Sequence, residues 1–184
     1  MINIVPYQDS YFYDVCEINH LNSSHPDRSG DEKEFCIYLY VAYYLKYEKE
    51  NCFIAIDSDS KQVLGYILAA LDYDTYFYNI MNDYLETAEI IGFKDLFISE
   101  IQCYKQFKKE YPAHFHIDVR PGQQNKGIGS LLLNKEIINM RKNSVNGLML
   151  FVGKNKIAGN SFYEKKGFKI IMEFQDLYAR GKKL

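Results

Sequence analysis

Gly127, Gly129 and Ser130 have the types and spacing to hold a phosphate. They sit in HIDVRPGQQNKGIGSLLLNKEIINMRK, residues 116–142. The stretch reads as a short strand over 114–119, a tight glycine-bearing turn, and a helix whose first turn carries these three residues. The first turn of a helix leaves backbone N–H groups without intrahelical partners, and the peptide dipoles add partial positive charge there. Glycines let an anion approach that backbone with no Cβ in the way. From Ile128 onward, Leu131, Leu132, Leu133, Ile137, Ile138 and Met140 recur at helical spacing, so the turn is held on a broad buried face.

Two common phosphate motifs do not fit. The dinucleotide fingerprint needs a small residue three positions after its second glycine, where Leu132 stands. A P-loop needs Gly-Lys-Ser/Thr, and here Lys126 precedes Gly127. What remains is Gln124-x-x-Gly127-x-Gly129 after a strand and Pro121. That pattern resembles the acyl-CoA pyrophosphate loop of the GNAT superfamily of N-acetyltransferases. A second stretch, NKIAGNSFYEKKGF at 155–168, resembles the same superfamily's Asn-x-x-Ala followed by Phe/Leu-Tyr-x-Lys-x-Gly-Phe. The resemblance covers 114–170. The His116-Ile117-Asp118-Val119 strand, with Tyr111-Pro112-Ala113 before it, is also similar to the acetyltransferase-like domain of O-GlcNAcases and its bacterial relatives.

The resemblance implies an α/β GNAT fold, a mixed sheet of six to seven strands flanked by helices, and direct transfer of an acetyl group from acetyl-CoA to a primary amine. It implies that Ile117, Asp118 and Val119 bind the pantetheine arm and polarise the thioester. The pyrophosphate then meets Gln124, Asn125, Lys126, Gly127, Ile128, Gly129 and Ser130. Asn155 matches the asparagine that commonly contacts pantetheine, although Tyr163 follows it by eight residues where the family has seven. Asn160 is therefore a second candidate for that contact. Tyr163 matches the tyrosine near the CoA sulfur that serves as general acid. The base stays open among Asp118, His116 and Glu100. Asp118 and His116 share one strand face, where they could relay a proton or form an ion pair serving only structure. A non-catalytic acyl-CoA-binding or protein-interaction module on the same fold is the alternative.

The elements that must position these residues follow from pattern. At 184 residues the chain is expected to form one domain over 1–184 that buries roughly two thirds of its unfolded surface. A hydrophobic share of 47% with 25% charged residues fits a water-soluble globule. Ile2 and Ile4 mark a first strand, and a helix from Asp9 turns Phe12, Val15 and Cys16 inward, with Ile18 at its edge. A loop over 22–30 precedes one helix over 31–50 that is apolar nearly all round. Runs at 52–56 and 63–71 read as a hairpin, with Gly65 at a bulge or close approach. Then 72–112 forms a helical insertion, split at Gly92, that is either a lid or plain structure. A buried strand over 147–152, a helix over 158–166 closed by Gly167, and two strands at 168–172 and 177–180 complete the chain.

Other function classes are disfavoured. A net charge of −2 with dispersed lysines leaves no footprint for nucleic acid. The four cysteines lack metal-ligand spacing, so they read as reduced thiols and no metal cofactor is expected. The start, MINIVPYQDS, has neither the basic residues nor the apolar run of a signal peptide, and no stretch reaches membrane-span length. A cytoplasmic protein without a membrane partner is the expectation, its partners being acetyl-CoA and an amine acceptor, with a homodimer left open. The 17 tyrosines and 12 phenylalanines, mostly before residue 112, would build either an aromatic core or an aromatic acceptor pocket.

Overall fold

The computed structural model describes residues 1–23, 27 and 29–184. Strand β1 (Ile2–Pro6) leads through a 3-10 turn at Asp9–Tyr11 into helix α1 (Phe12–Asn22). Helix α2 (Gly30–Ile37), a π-helical turn (Tyr38–Ala42) and α3 (Tyr43–Tyr47) follow, then the hairpin strands β2 (Cys52–Asp57) and β3 (Val63–Ala70). Helices α4 (Tyr73–Ile90) and α5 (Lys94–Gln102) precede β4 (Ala113–Val119), α6 (Ile128–Lys142) and β5 (Gly147–Gly153). Helix α7 (Ile157–Lys165), β6 (Lys169–Glu173) and β7 (Leu177–Lys183) close the chain. The loop expected over 22–30 falls partly on residues 24–26 and 28, which lie outside the described residues.

The seven strands form one mixed sheet in the order β1-β2-β3-β4-β5-β7-β6, with only β4 and β5 parallel. Each face carries its own apolar cluster. Tyr66, Leu68 and Met149 face α1 to α5, whereas Ile67, Phe115 and Leu150 face Ile128, Leu132 and Leu133 of α6. All eight residues of β3 are buried, as expected of a central strand covered on both sides.

Two expectations are revised. The segment 31–50 is not one helix: the π-helical turn shifts the register, so that Leu39, Val41, Tyr43, Tyr44 and Leu45 all reach the interior. Ile18 is fully buried and not at the margin of the α1 face. The insertion behaves as core. Tyr73, Tyr76 and Ile80 of α4, and Phe97 and Ile101 of α5, are buried in the cluster that also holds Tyr43 and Tyr44. Most of the aromatic load is thus spent on packing.

A buried polar ladder ties the far end of α6 to the start of β2. Asn139 Nδ2 donates to Asn51 Oδ1 at 2.9 Å, and Asn51 Nδ2 donates to Glu48 Oε2 at 2.6 Å. Beside it, Glu136 is fully buried, and burial pushes its carboxyl up to about 8. No disulfide joins the four cysteines. No helix among the described residues is long and apolar enough to cross a membrane.

Gly65 shows how closely β3 and β4 approach. It pairs with Val119 opposite a register shift at Ala55/Ile56, so both a bulge and close packing meet there. A Cβ on Gly65 would lie 2.6 Å from Asp118 O and 3.2 Å from Val119 Cα, both backbone atoms that cannot swing aside. Gly65→Ala is expected to cost about 1–3 kcal/mol or more through overpacking. A denaturant melt would read this as a lower midpoint; an unchanged midpoint would mean that β4 yields freely at this point.

Candidate active site

Strands β4 and β5 pair only at Ala113↔Leu148 and His114↔Met149. Beyond those two positions they separate. The edge of β4 that faces β5 therefore runs from Phe115 to Val119 without a strand partner, while its other edge stays paired to β3 through Val119. An unpaired strand edge is a row of available N–H and C=O groups.

A cavity of about 460 Å³ occupies this wedge. Its walls are Ile117, Asp118 and Val119 of β4, the turn residues Gln123, Gln124, Asn125 and Gly127, and the first residues of α6, Ile128 to Ser130. Ala158, Gly159, Phe162 and Tyr163 of α7 close the opposite wall, and Asn22 of α1 reaches in from the side. Of the candidates named from sequence, Lys126, Asn155 and Asn160 for the cofactor and His116 and Glu100 for the base stand outside this lining. Sequence reasoning missed Asn22, Gln123, Ala158, Gly159 and Phe162. The helical period of 158–163 could have flagged Gly159, one turn before Tyr163, and Ala158, one turn before Phe162.

The turn is built to keep the helix end open. Arg120 anchors it: Nε donates to Val63 O at 2.8 Å, Nη1 to Glu17 at 2.8 Å and Nη2 to Asp14 at 3.0 Å. The Gln124 side chain folds back, accepting from Gly122 N at 2.8 Å and donating to Val119 O at 3.3 Å. Its amide thus shapes the loop. Lys126 Nζ donates to Gln123 Oε1 at 2.8 Å. Gly127 takes the N-cap position at φ +82°, and no side chain caps the helix. Leu131 N makes the first bond, to Gly127 O, so the N–H groups of Ile128, Gly129 and Ser130 have no helical acceptor. Uncapped donors at the end of a 15-residue helix, opening on a cavity, suit a phosphate.

Asn160 is occupied elsewhere. Its Nδ2 donates to Gly153 O at 2.9 Å and its Oδ1 accepts from Arg180 Nε at 3.0 Å, which fastens α7 to β5 and β7. Asn155 lies in the turn after β5, its Oδ1 within 2.7 Å of where a Cβ on Gly153 would be.

Among the described residues that line the cavity, two are ionisable, Asp118 and Tyr163. Tyr66 Oη donates to Asp118 Oδ2 at 2.5 Å. Burial pushes the Asp118 carboxyl up to about 7, against the opposing pull of the Tyr66 hydrogen bond and the Lys156 charge. Tyr163 packs its ring against Phe115, Phe162 and Phe168, and its hydroxyl has no hydrogen-bond partner among the described residues. Burial, with the Asp118 charge nearby, holds its proton well above the usual tyrosine range. At neutral pH the site therefore offers a phenol that keeps its proton and a carboxyl poised to gain or lose one.

Of the two readings of the strand face shared by Asp118 and His116, a proton relay or an ion pair, the ion pair does not form. Asp118 takes its hydrogen bond from Tyr66, while His116 is packed against the rings of Tyr40 and Tyr44. Burial lowers the His116 imidazole to about 4, so it is neutral. Glu100 lies on α5, within 3.5 Å of Tyr40 Oη, and does not line the cavity. Among the described residues no group of three or more His, Cys, Asp or Glu side chains is placed to hold a metal.

The family model for the acetyltransferase (GNAT) domain matches residues 48–170. The structure of SsHAT is similar over 99% of this chain and 98% of its own, at 20% identity and a TM-score of 0.86. The PaiA N-acetyltransferase from Thermoplasma acidophilum, solved in complex with coenzyme A, is similar over 100% of this chain and 99% of its own, at 16% identity and a TM-score of 0.64. A NatC complex bound to Gag peptide and CoA is similar over 100% of this chain and 98% of its own, at 16% identity and a TM-score of 0.66.

Proposed function

This chain belongs to the GNAT acetyltransferase family, and from that premise we propose that it transfers an acetyl group from acetyl-CoA directly to a primary amine of its acceptor. The observation that carries the reading is the wedge between β4 and β5: uncapped helix donors at one end, an unpaired strand edge along one wall, and Asp118 and Tyr163 both facing the space. Residues 1–184 act in this reading as one unit.

The roles follow from chemistry. The first-turn N–H groups from Gly127 to Ser130 would hold the pyrophosphate, with Gln124, Asn125 and Lys126 keeping the turn in shape. The backbone of Ile117, Asp118 and Val119 would bind the pantetheine arm. Asp118 takes the proton of the incoming ammonium, so that the neutral amine can attack the thioester carbonyl carbon. A C–N bond forms, the C–S bond breaks, Tyr163 gives its proton to the departing thiolate, and the second proton lost from nitrogen restores the Tyr163 phenol through solvent. Two ionisable groups whose environments set their pKa values far apart suit an acid and a base working in one step.

Calorimetric titration with acetyl-CoA and desulfo-CoA, followed by transfer assays on a panel of primary amines, tests this reading. Binding in the micromolar range and transfer to at least one amine are expected. The rate should fall as pH drops through about 7, because a protonated Asp118 cannot accept the amine proton. Binding with no transfer across small amines, peptides and aminoglycosides would favour the non-catalytic acyl-CoA-binding module. No binding at all would reduce the loop to architecture.

A further inference from the structure

Behind Asp118 lies a chain of side chains from three different elements. Asn19 of α1 donates through Nδ2 to Tyr66 Oη at 3.1 Å, and Tyr66 of β3 donates to Asp118 Oδ2 of β4. Tyr66 is fully buried. A tyrosine hydroxyl has a single proton, and this one is directed at Asp118 while Asn19 fills an acceptor site on the same oxygen. The other carboxyl oxygen, Oδ1, has no hydrogen-bond partner among the described residues, and Asp118 lines the cavity.

We propose that Tyr66 and Asn19 are positioning residues: they fix the Asp118 carboxylate through one oxygen and leave the other free to accept a proton from the acceptor amine. This rests on the reading of Asp118 as the base. The physical argument is directional. A carboxylate free to rotate would spread its lone pairs over several orientations, whereas a short hydrogen bond from a buried phenol pins one oxygen and aims the second. The phenol also stabilises the ionised carboxylate in a buried setting that otherwise disfavours it. Asn19 strengthens the phenol as a donor by donating to its oxygen, since hydrogen bonds in a chain polarise one another. Both residues lie outside the cavity lining, so they act only through Asp118.

The groups that bear on Asp118 come from every neighbouring element. They are Tyr66 on β3, Tyr163 on α7, Lys156 just before α7, and Cys16 of α1, which acts through Tyr66. Among the described residues only the Tyr66 contact supplies a hydrogen bond that favours the charged form. Removing it must therefore raise the pKa of Asp118 and move the pH at which the base becomes available upward.

The test is Tyr66→Phe, with Asn19→Ala as a second variant, read two ways: the pH profile of kcat/KM, and direct NMR titration of the Asp118 carboxyl carbon. Tyr66→Phe should shift both the acid limb and the carboxyl titration upward by about one pH unit or more, the range expected for a hydrogen bond to a charged group. Asn19→Ala should shift them the same way by less, and activity should recover in alkaline buffer. The NMR titration needs no turnover, so it tests the relay even if the chain proves non-catalytic. If turnover is present but only the carboxyl titration moves, the relay stands and Asp118 is not the base. An unchanged carboxyl titration in folded Tyr66→Phe, or in Asn19→Ala if that variant alone folds, would overturn the proposal and leave Tyr66 as core packing.

Discussion

Gly127→Glu is expected to abolish acetyl-CoA binding while the chain remains folded. The backbone at Gly127 is left-handed, at φ +82°, and a Cβ there would meet nothing within 4 Å. The cost to the fold is thus confined to the backbone, about 1–2 kcal/mol for an L-residue in that conformation. A carboxylate at the start of α6 would recover part of it, because negative charge is favourable at a helix N-terminus. The same carboxylate competes with a pyrophosphate for the N–H groups of Ile128, Gly129 and Ser130 and repels it. Two unit charges about 4 Å apart interact by about 4 kcal/mol at the effective dielectric of a protein surface, close to a thousandfold in affinity. Gly127→Ala isolates the backbone cost: it should lower the melting temperature slightly and bind acetyl-CoA within about tenfold of the parent. Calorimetry on both variants decides the matter. Equal binding by the glutamate variant would place the phosphate elsewhere.

What could be read in the sequence was local. The glycine turn and its helix occupy one continuous stretch, and the apolar period after Ile128 fixes which side of that helix is buried. The hairpin of β2 and β3 announced itself through a turn-rich connector between two apolar runs. The π-helical turn inside 31–50 was invisible for a physical reason: a segment apolar on every side satisfies a straight helix and a shifted one equally well.

The wedge was equally hidden, because it depends on where a register stops. Nothing in the residues of β4 and β5 says that pairing ends at His114 and Met149. Non-local partners follow the same logic. Asp118 meets Tyr66 from 52 positions away, and Asn22 donates to Val119 O across 97. Asn160 shows the same limit from the other side. Its place on α7 made it a reasonable ligand for a cofactor, yet Arg180, twenty residues on, takes its oxygen and the end of β5 takes its nitrogen.

Tyr163→Phe is expected to lower kcat by about a hundred- to ten-thousandfold, the range for loss of a general acid, with acetyl-CoA affinity and stability preserved. The ring contacts with Phe115, Phe162 and Phe168 survive the substitution, and among the described residues the hydroxyl has no partner to orphan. A partnerless hydroxyl in a folded core would be a defect, but beside a cavity it is a donor waiting for an acceptor. The raised pKa argues in the same direction. Burial and the Asp118 carboxylate both disfavour a phenolate, so the proton remains on Tyr163 through mildly alkaline pH and the phenol is present as a donor wherever the reaction is run. A departing alkyl thiolate is a weaker base than a tyrosinate, so the phenol acts first as a hydrogen-bond donor to the negative charge that develops on sulfur. The defect should therefore shrink with an acetyl thioester of a more acidic thiol, whose thiolate leaves without protonation, whereas loss of packing or of cofactor binding would penalise both donors equally. Steady-state kinetics with the two thioesters separates these outcomes: a Phe variant as fast as the parent on acetyl-CoA removes Tyr163 as the acid, and equal slowing on both assigns it to structure.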